Sequence, residues 1–144
     1  MTIRRAGGLV EERLSYSVIG AFFAVHRQLG FGFLESVYSR ALEAELRTRG
    51  HQVSREFAIS VHYRGVEIAH QRLDMVIDEK LVIEVKATER LHSDACRQLF
   101  NYLRATSLEV GLLLHFGRRA DFYRVICQNH LKSRSLSSPS PSDT

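Results

Sequence analysis

From Leu9 to Leu29 the apolar residues Leu14, Val18, Phe22, Val25 and Leu29 recur every three or four positions, a spacing that predicts a helix with one buried stripe. Gly30 ends it. After Gly30-Phe31-Gly32 the spacing resumes with Leu34, Val37, Ala41 and Leu42 on one face, predicting a second helix that stops at Gly50. The period then changes. Residues 53–63, 66–77 and 81–87 are dense in β-branched and aromatic side chains and are separated by Arg64-Gly65 and by Asp78-Glu79-Lys80, which predicts three antiparallel strands in meander order. Ser93-Asp94 opens a third helix whose Cys96, Leu99, Phe100 and Leu103 make the next apolar stripe. Val110–Phe116 is apolar almost throughout, as expected of a strand covered on both faces, and residues 122–127 supply a last strand after the Gly117-Arg118-Arg119 turn.

The predicted order ααβββαββ corresponds to an α/β (α+β) fold, a central mixed β-sheet flanked by helices. A chain of 144 residues suits one compact domain, expected over residues 1–130. Residues 131–144, which include KSRSLSSPSPSDT, have little to bury and are expected to form a disordered Ser/Pro-rich tail. The formal charge of +4 is compatible with a polyanionic partner without demanding one. Cys96 and Cys127 belong to no CxxC pair, so neither a disulfide framework nor a cysteine-rich zinc site is expected. Without a leader or an apolar run long enough for a membrane, the expected location is the cytoplasm.

The chemistry concentrates in LDMVIDEKLVIEVKATE, residues 73–89. Charges within apolar strands are costly unless paired, hydrated or holding a metal. Strand alternation puts Leu73, Met75 and Ile77 on one face and Asp74 and Val76 on the other, with Glu84 and Lys86 opposed by Ile83 and Val85. If Asp78-Glu79-Lys80 forms a three-residue loop, Ile77 pairs with Leu81 and Asp74 stands across from Glu84, Cβ atoms about 5 Å apart. Two carboxylates that close repel unless a cation lies between them. Mg²⁺ or Mn²⁺ would suit such a half-open site, and Lys86 could orient a metal-bound water or stabilise charge on a phosphate. The competing reading is an inert salt-bridge ladder on a solvated face.

Asp74 followed by Glu84-Val85-Lys86 resembles the D…(D/E)xK signature of the PD-(D/E)xK nuclease superfamily, with Leu73 where the namesake proline would stand. Gly32-Phe33-Leu34-Glu35-Ser36-Val37-Tyr38 resembles the motif of that superfamily's GxxExxY branch, and Gln98 through Tyr102 resembles a QxxxY motif of helicase-associated nucleases. The likeness runs from about Val18 to Cys127. It implies a restriction-endonuclease-like core and a metal-dependent nuclease acting on DNA. In that reading Asp74, Glu84 and Lys86 are catalytic, Glu35, Asp74 and Glu84 bind Mg²⁺ or Mn²⁺, and Gln98 and Tyr102 position the substrate, all on one side of the sheet. The local alternatives are helix-dipole compensation for Glu35 and capping of the core for Gln98 and Tyr102.

His92 and Cys96 have zinc-like spacing but no further ligands in the sequence, and Gly30-x-Gly32 lacks the strand and third glycine of a dinucleotide loop. Arg97, Arg104, Arg118, Arg119 and Arg124 would supply phosphate contacts if they border the acidic cleft. Two other functions stay open: a non-catalytic nucleic-acid or protein binding module on a nuclease-like scaffold, and an RNA-directed nuclease. Phe22-Phe23 could serve a homodimer interface or the core.

Overall fold

A computed structural model describes residues 2–3 and 10–132 of the chain. In order the elements are β1 (Thr2–Ile3), α1 (Glu12–Leu29), α2 (Glu35–Thr48), β2 (Val53–Tyr63), β3 (Val66–Ile77), β4 (Leu81–Lys86), α3 (Ala95–Arg104), β5 (Val110–Phe116) and β6 (Ala120–Ile126), then a 3₁₀ turn at Asn129–Leu131. The α/β class is the one the periodicity predicts, but β1 and the 3₁₀ turn are additions to the predicted order. The expected tail lies outside the described residues from 133 on. Of its first two positions, Leu131 closes the 3₁₀ turn and Lys132 Nζ donates to the Thr106 and Leu108 carbonyls at 2.8 and 2.7 Å.

The sheet runs β1-β6-β5-β4-β3-β2. β2, β3 and β4 form the expected antiparallel meander, β4 and β5 are parallel across the α3 crossover, and β6 returns antiparallel to β5. Helices cover both faces. α1 and α2 pack with Met75, Ile77, Leu81, Ile83, Val85 and alternate residues of β5, whereas α3 packs with Val76, Val82, Leu113 and Val125 on the other face. The strand VGLLLHF is accordingly buried throughout, because each face of it meets a helix layer.

Three expectations are corrected. α1 begins at Glu12, after Glu11 takes a left-handed φ of 51°, so the helix starts later than Leu9. α2 buries the predicted Leu42 and packs Ala41 against the core, but its other buried residues are Tyr38, Ser39 and Leu46, while the predicted Leu34 is 75% and Val37 37% exposed. The Tyr38 ring stacks on Phe116 at 4.4 Å, and Phe116 in turn meets Phe22 edge-on at 4.8 Å; this aromatic contact sets the helix rotation. Leu73 packs in the α3-side cluster while Met75 and Ile77 pack on the other. Strict alternation slips at Asp74, opposite Glu56, which lies between the β2 partners of Met75 and Leu73 and has a left-handed φ of 51°. Phe22 is fully buried, so it serves the core rather than an interface, and Phe23 packs edge-on against Phe122 at 6.0 Å.

A polar chain fastens three segments at the loop end of β3. His51 Nδ1 is 2.7 Å from Asp78 Oδ2, and His51 Nε2 is 2.7 Å from Ser17 Oγ. The other Asp78 oxygen accepts from Gln52 N at 2.8 Å. Burial opposes ionisation of Asp78, yet the hydrogen bonds from Gln52 and His51 hold its carboxyl below the ordinary value. α1, the α2–β2 connection and the β3–β4 turn are thereby tied together. His51→Ala is expected to lower stability by about 1–3 kcal/mol, read as a lower urea midpoint; an unchanged midpoint would show that the tie contributes nothing.

Candidate active site

The site forms where β3 parts from β4. Ladder pairs Ile77↔Leu81, Val76↔Val82 and Met75↔Ile83 follow from the three-residue loop, in which Asp78 and Glu79 adopt left-handed φ values of 51° and 60°. The same count places Asp74 opposite Glu84. There the backbone ladder stops and side chains replace it: Asp74 N donates to Glu84 Oε1 at 3.2 Å, and Val85 N donates to Asp74 Oδ2 at 2.8 Å. Beyond this fork β3 continues with β2 alone, out to the Tyr63↔Val66 pair.

Burial of these acids has an electrostatic cost. Glu84 is only 9% exposed, and burial, followed by the nearby Asp74 charge, pushes its carboxyl up to about 8. Burial also raises Asp74. Glu35 is raised by burial and then by Asp74. Lys86 pulls all three back toward ionisation. The Tyr102 hydroxyl on α3 is raised by its own burial and then by the charges of Glu84 and Asp74. Gln98, one turn earlier, lines a cleft together with Lys86.

These groups do not share one face. Glu35 belongs to α2, in the helix layer opposite α3, and feels the charges of Asp74 and Lys86 from there. The segment from Gly32 to Tyr38 explains how it is held. Gly32 has a φ of 112°, a conformation L side chains rarely adopt. The buried Tyr38 hydroxyl donates to Gly30 O and accepts from Phe33 N, the latter at 3.3 Å. Glycine shapes the loop, tyrosine fastens it, and Glu35 is presented at the first position of α2. Tyr38→Phe keeps the ring stack but strands Gly30 O and Phe33 N, so a loss of about 1–2 kcal/mol is expected in urea unfolding; wild-type stability would contradict that role.

Among the described residues no three His, Cys, Asp or Glu side chains are gathered as a metal-binding group, so Glu35 is near the Asp74–Glu84 pair without completing a triad. The pair itself fits a hard dication. Each carboxylate has one oxygen engaged by a backbone N–H, leaving Asp74 Oδ1 and Glu84 Oε2 as hard oxygen donors, and mutual repulsion disfavours ionising both without a counter-charge.

The arginines fall differently from the expectation. Arg124 is 6% exposed, its guanidinium donating to Ser15 Oγ at 3.2 Å and to the Val10 carbonyl under α1; it faces the helix layer opposite α3. Arg118 pairs with Glu89 at 3.2 Å and lies over Phe31, and Arg97 lies over Phe100. The arginine that does line the cleft is Arg90, which sequence reading passed over because an exposed arginine in a loop carries no periodic signal. His92 lines the cleft too, its Nδ1 accepting from Asp94 N at 3.1 Å.

A family model described as the PD-(D/E)XK nuclease superfamily matches residues 12–125. The chain belongs to that superfamily. No curated protein and no solved structure matches it. The three helices and mixed sheet of this superfamily member are consistent with a restriction-endonuclease-like core, and nucleases of the superfamily generally use divalent metal ions. Its membership supports a nuclease-like function and nucleic acid as partner. No described helix is long and apolar enough to cross a membrane.

Proposed function

We propose that this chain is a Mg²⁺- or Mn²⁺-dependent nuclease that hydrolyses phosphodiester bonds in DNA, acting in the cytoplasm as one of the GxxExxY branch of its superfamily. The observation that carries the reading is the Asp74–Glu84 pair at the fork, Glu84 accepting from Asp74 N and Asp74 from Val85 N, with the Lys86 charge acting on both. Asp74 and Glu84 would hold the ion, which when bound supplies Lewis-acid polarisation of the phosphate and an acidified water. In hydrolysis one P–O ester bond breaks as water oxygen adds to phosphorus, and the departing alkoxide takes up a proton.

The chain's own residues have separate roles. The Lys86 ammonium, on the last position of β4, would donate to the attacking water or to a phosphate oxygen and offset the negative charge that builds there. The Gln98 amide and Tyr102 hydroxyl are donors from α3 for the strand beside the scissile bond. Glu35 adds negative charge at the fork and strengthens its attraction for a dication.

The test is purified protein with millimolar Mn²⁺ or Mg²⁺ against single-stranded, double-stranded and branched DNA and single-stranded RNA. Divalent-dependent cleavage of DNA, blocked by EDTA, is expected. Cleavage of RNA alone would reassign the substrate. No cleavage of any of them, with salt-sensitive DNA binding indifferent to divalent ions, would replace the enzyme with a binding module.

A further inference from the structure

We infer that the cleft between Lys86 and the start of α3 is a subsite for one unpaired nucleotide, with Arg90 taking its phosphate, so that the preferred substrate is single-stranded nucleic acid or an unpaired end. This rests on the nuclease reading for its placement beside the reacting bond. The cleft has a volume of about 680 Å³ and begins at Lys86, within the range that encloses one small organic ligand. Anything seated in it is therefore beside Lys86, two residues along β4 from Glu84.

Its lining sorts into the two halves of a nucleotide. Lys86, Thr88 and Arg90 supply cationic and hydroxyl groups, Leu91 and Ala95 apolar surface, and His92, Asp94 and Gln98 complete the lining, Asp94 being its one carboxylate. Among the described residues no carboxylate forms an ion pair with Arg90, and its chain neighbour Glu89 is already engaged by Arg118 at 3.2 Å. The guanidinium is thus left for an external anion, for which its planar fork is suited.

The loop that carries Arg90 is fastened from behind. The buried His115 ring contacts the Thr88 carbonyl at 2.7 Å and the Thr88 hydroxyl at 3.3 Å, and that hydroxyl donates to the Arg90 carbonyl at 2.8 Å. A pre-set loop loses less entropy on binding. An apolar wall is useful to a base only when the base has left its stack, which is far cheaper for a single strand than for a duplex.

The measurement is fluorescence anisotropy of the full chain in EDTA, with a 5′-labelled single-stranded thymidine oligonucleotide and a blunt duplex of equal length as probes. Expected are binding of the single strand about tenfold tighter than the duplex, loss of about tenfold with Arg90→Gln, and a salt slope shallower by about one. Equal binding of Arg90→Gln and wild type, or duplex binding as tight as single-strand binding, would overturn the subsite. Because Arg90 is exposed, the variant is expected to unfold at the wild-type urea midpoint. EDTA removes turnover from the readout, so a protein that binds in this way but never cleaves DNA in Mn²⁺ would refute the nuclease reading and leave the subsite standing.

Discussion

Asp74→Asn is expected to lower Mn²⁺-dependent DNA cleavage by about 10³-fold or more while leaving the fold intact. The choice of variant follows from the hydrogen bonds. Asp74 Oδ2 accepts from Val85 N at 2.8 Å, a bond that an amide oxygen can also accept, whereas alanine would strand a buried donor at a cost of about 1–3 kcal/mol. Asparagine therefore removes the charge and keeps the geometry. What is lost is a hard anionic ligand and the field that fixes water and phosphate at the fork, and losses of this kind are worth about 10²–10⁴-fold each. Lys86→Met, which keeps the stem and deletes the ammonium, is expected to reduce cleavage by about 10²-fold or more. Single-turnover cleavage with unfolding controls is the measurement; wild-type rates in either variant would remove that residue from the chemistry.

The second large effect concerns stability. Glu84 titrates near 8 in the folded chain against an ordinary value of 4.5, because burial first, and Asp74 next, disfavour its charge. Between those two pH values the folded state holds a proton that the unfolded state has released. Glu84's contribution to the stability of the metal-free protein is therefore fully present below about pH 4.5 and lost as pH rises toward 8, by an amount on the order of 4 kcal/mol. Asp74 and Glu35, also raised, add with the same sign. Asp78, which is lowered, has the opposite sign, its contribution being lost as pH falls below the ordinary carboxylate range. In EDTA, the urea midpoint should fall between pH 5 and pH 8 in wild type and fall much less in Glu84→Gln, the variant being the more stable protein at pH 8. A Glu84→Gln protein with the wild-type pH profile would mean that Glu84 is hydrated and ionised at neutral pH. Millimolar Mg²⁺ at pH 8 should restore wild-type stability and leave Glu84→Gln nearly unchanged, since a ligand stabilises only the state that binds it.

Stability and activity pull in opposite directions at the fork. A neutral isostere at Glu84 relieves the buried charge, yet the same charge is what makes a dication welcome. The strain belongs to the metal-free protein and is what the proposed role of Glu84 as a metal ligand requires.

Much of this was legible in the chain because it is local. A helix or strand shows its period over a dozen residues, so the three helices and the five principal strands are readable from spacing. The opposition of Asp74 and Glu84 follows by counting from a three-residue loop, since strand register is arithmetic once the turn is known. What the tertiary structure alone decided is where these local pieces meet. Period does not say which side of α2 faces inward, and the Tyr38–Phe116 stack turned it away from Leu34 and Val37. Leu73 changed sides where the neighbouring strand carries the left-handed Glu56. Glu35 and Tyr102 approach the fork from opposite helix layers, Arg124 is buried beneath α1 and Arg90 lines the cleft. Each of these depends on a partner far away in the sequence, and packing against such partners is a property of the assembled sheet and helices that no window of neighbouring residues contains.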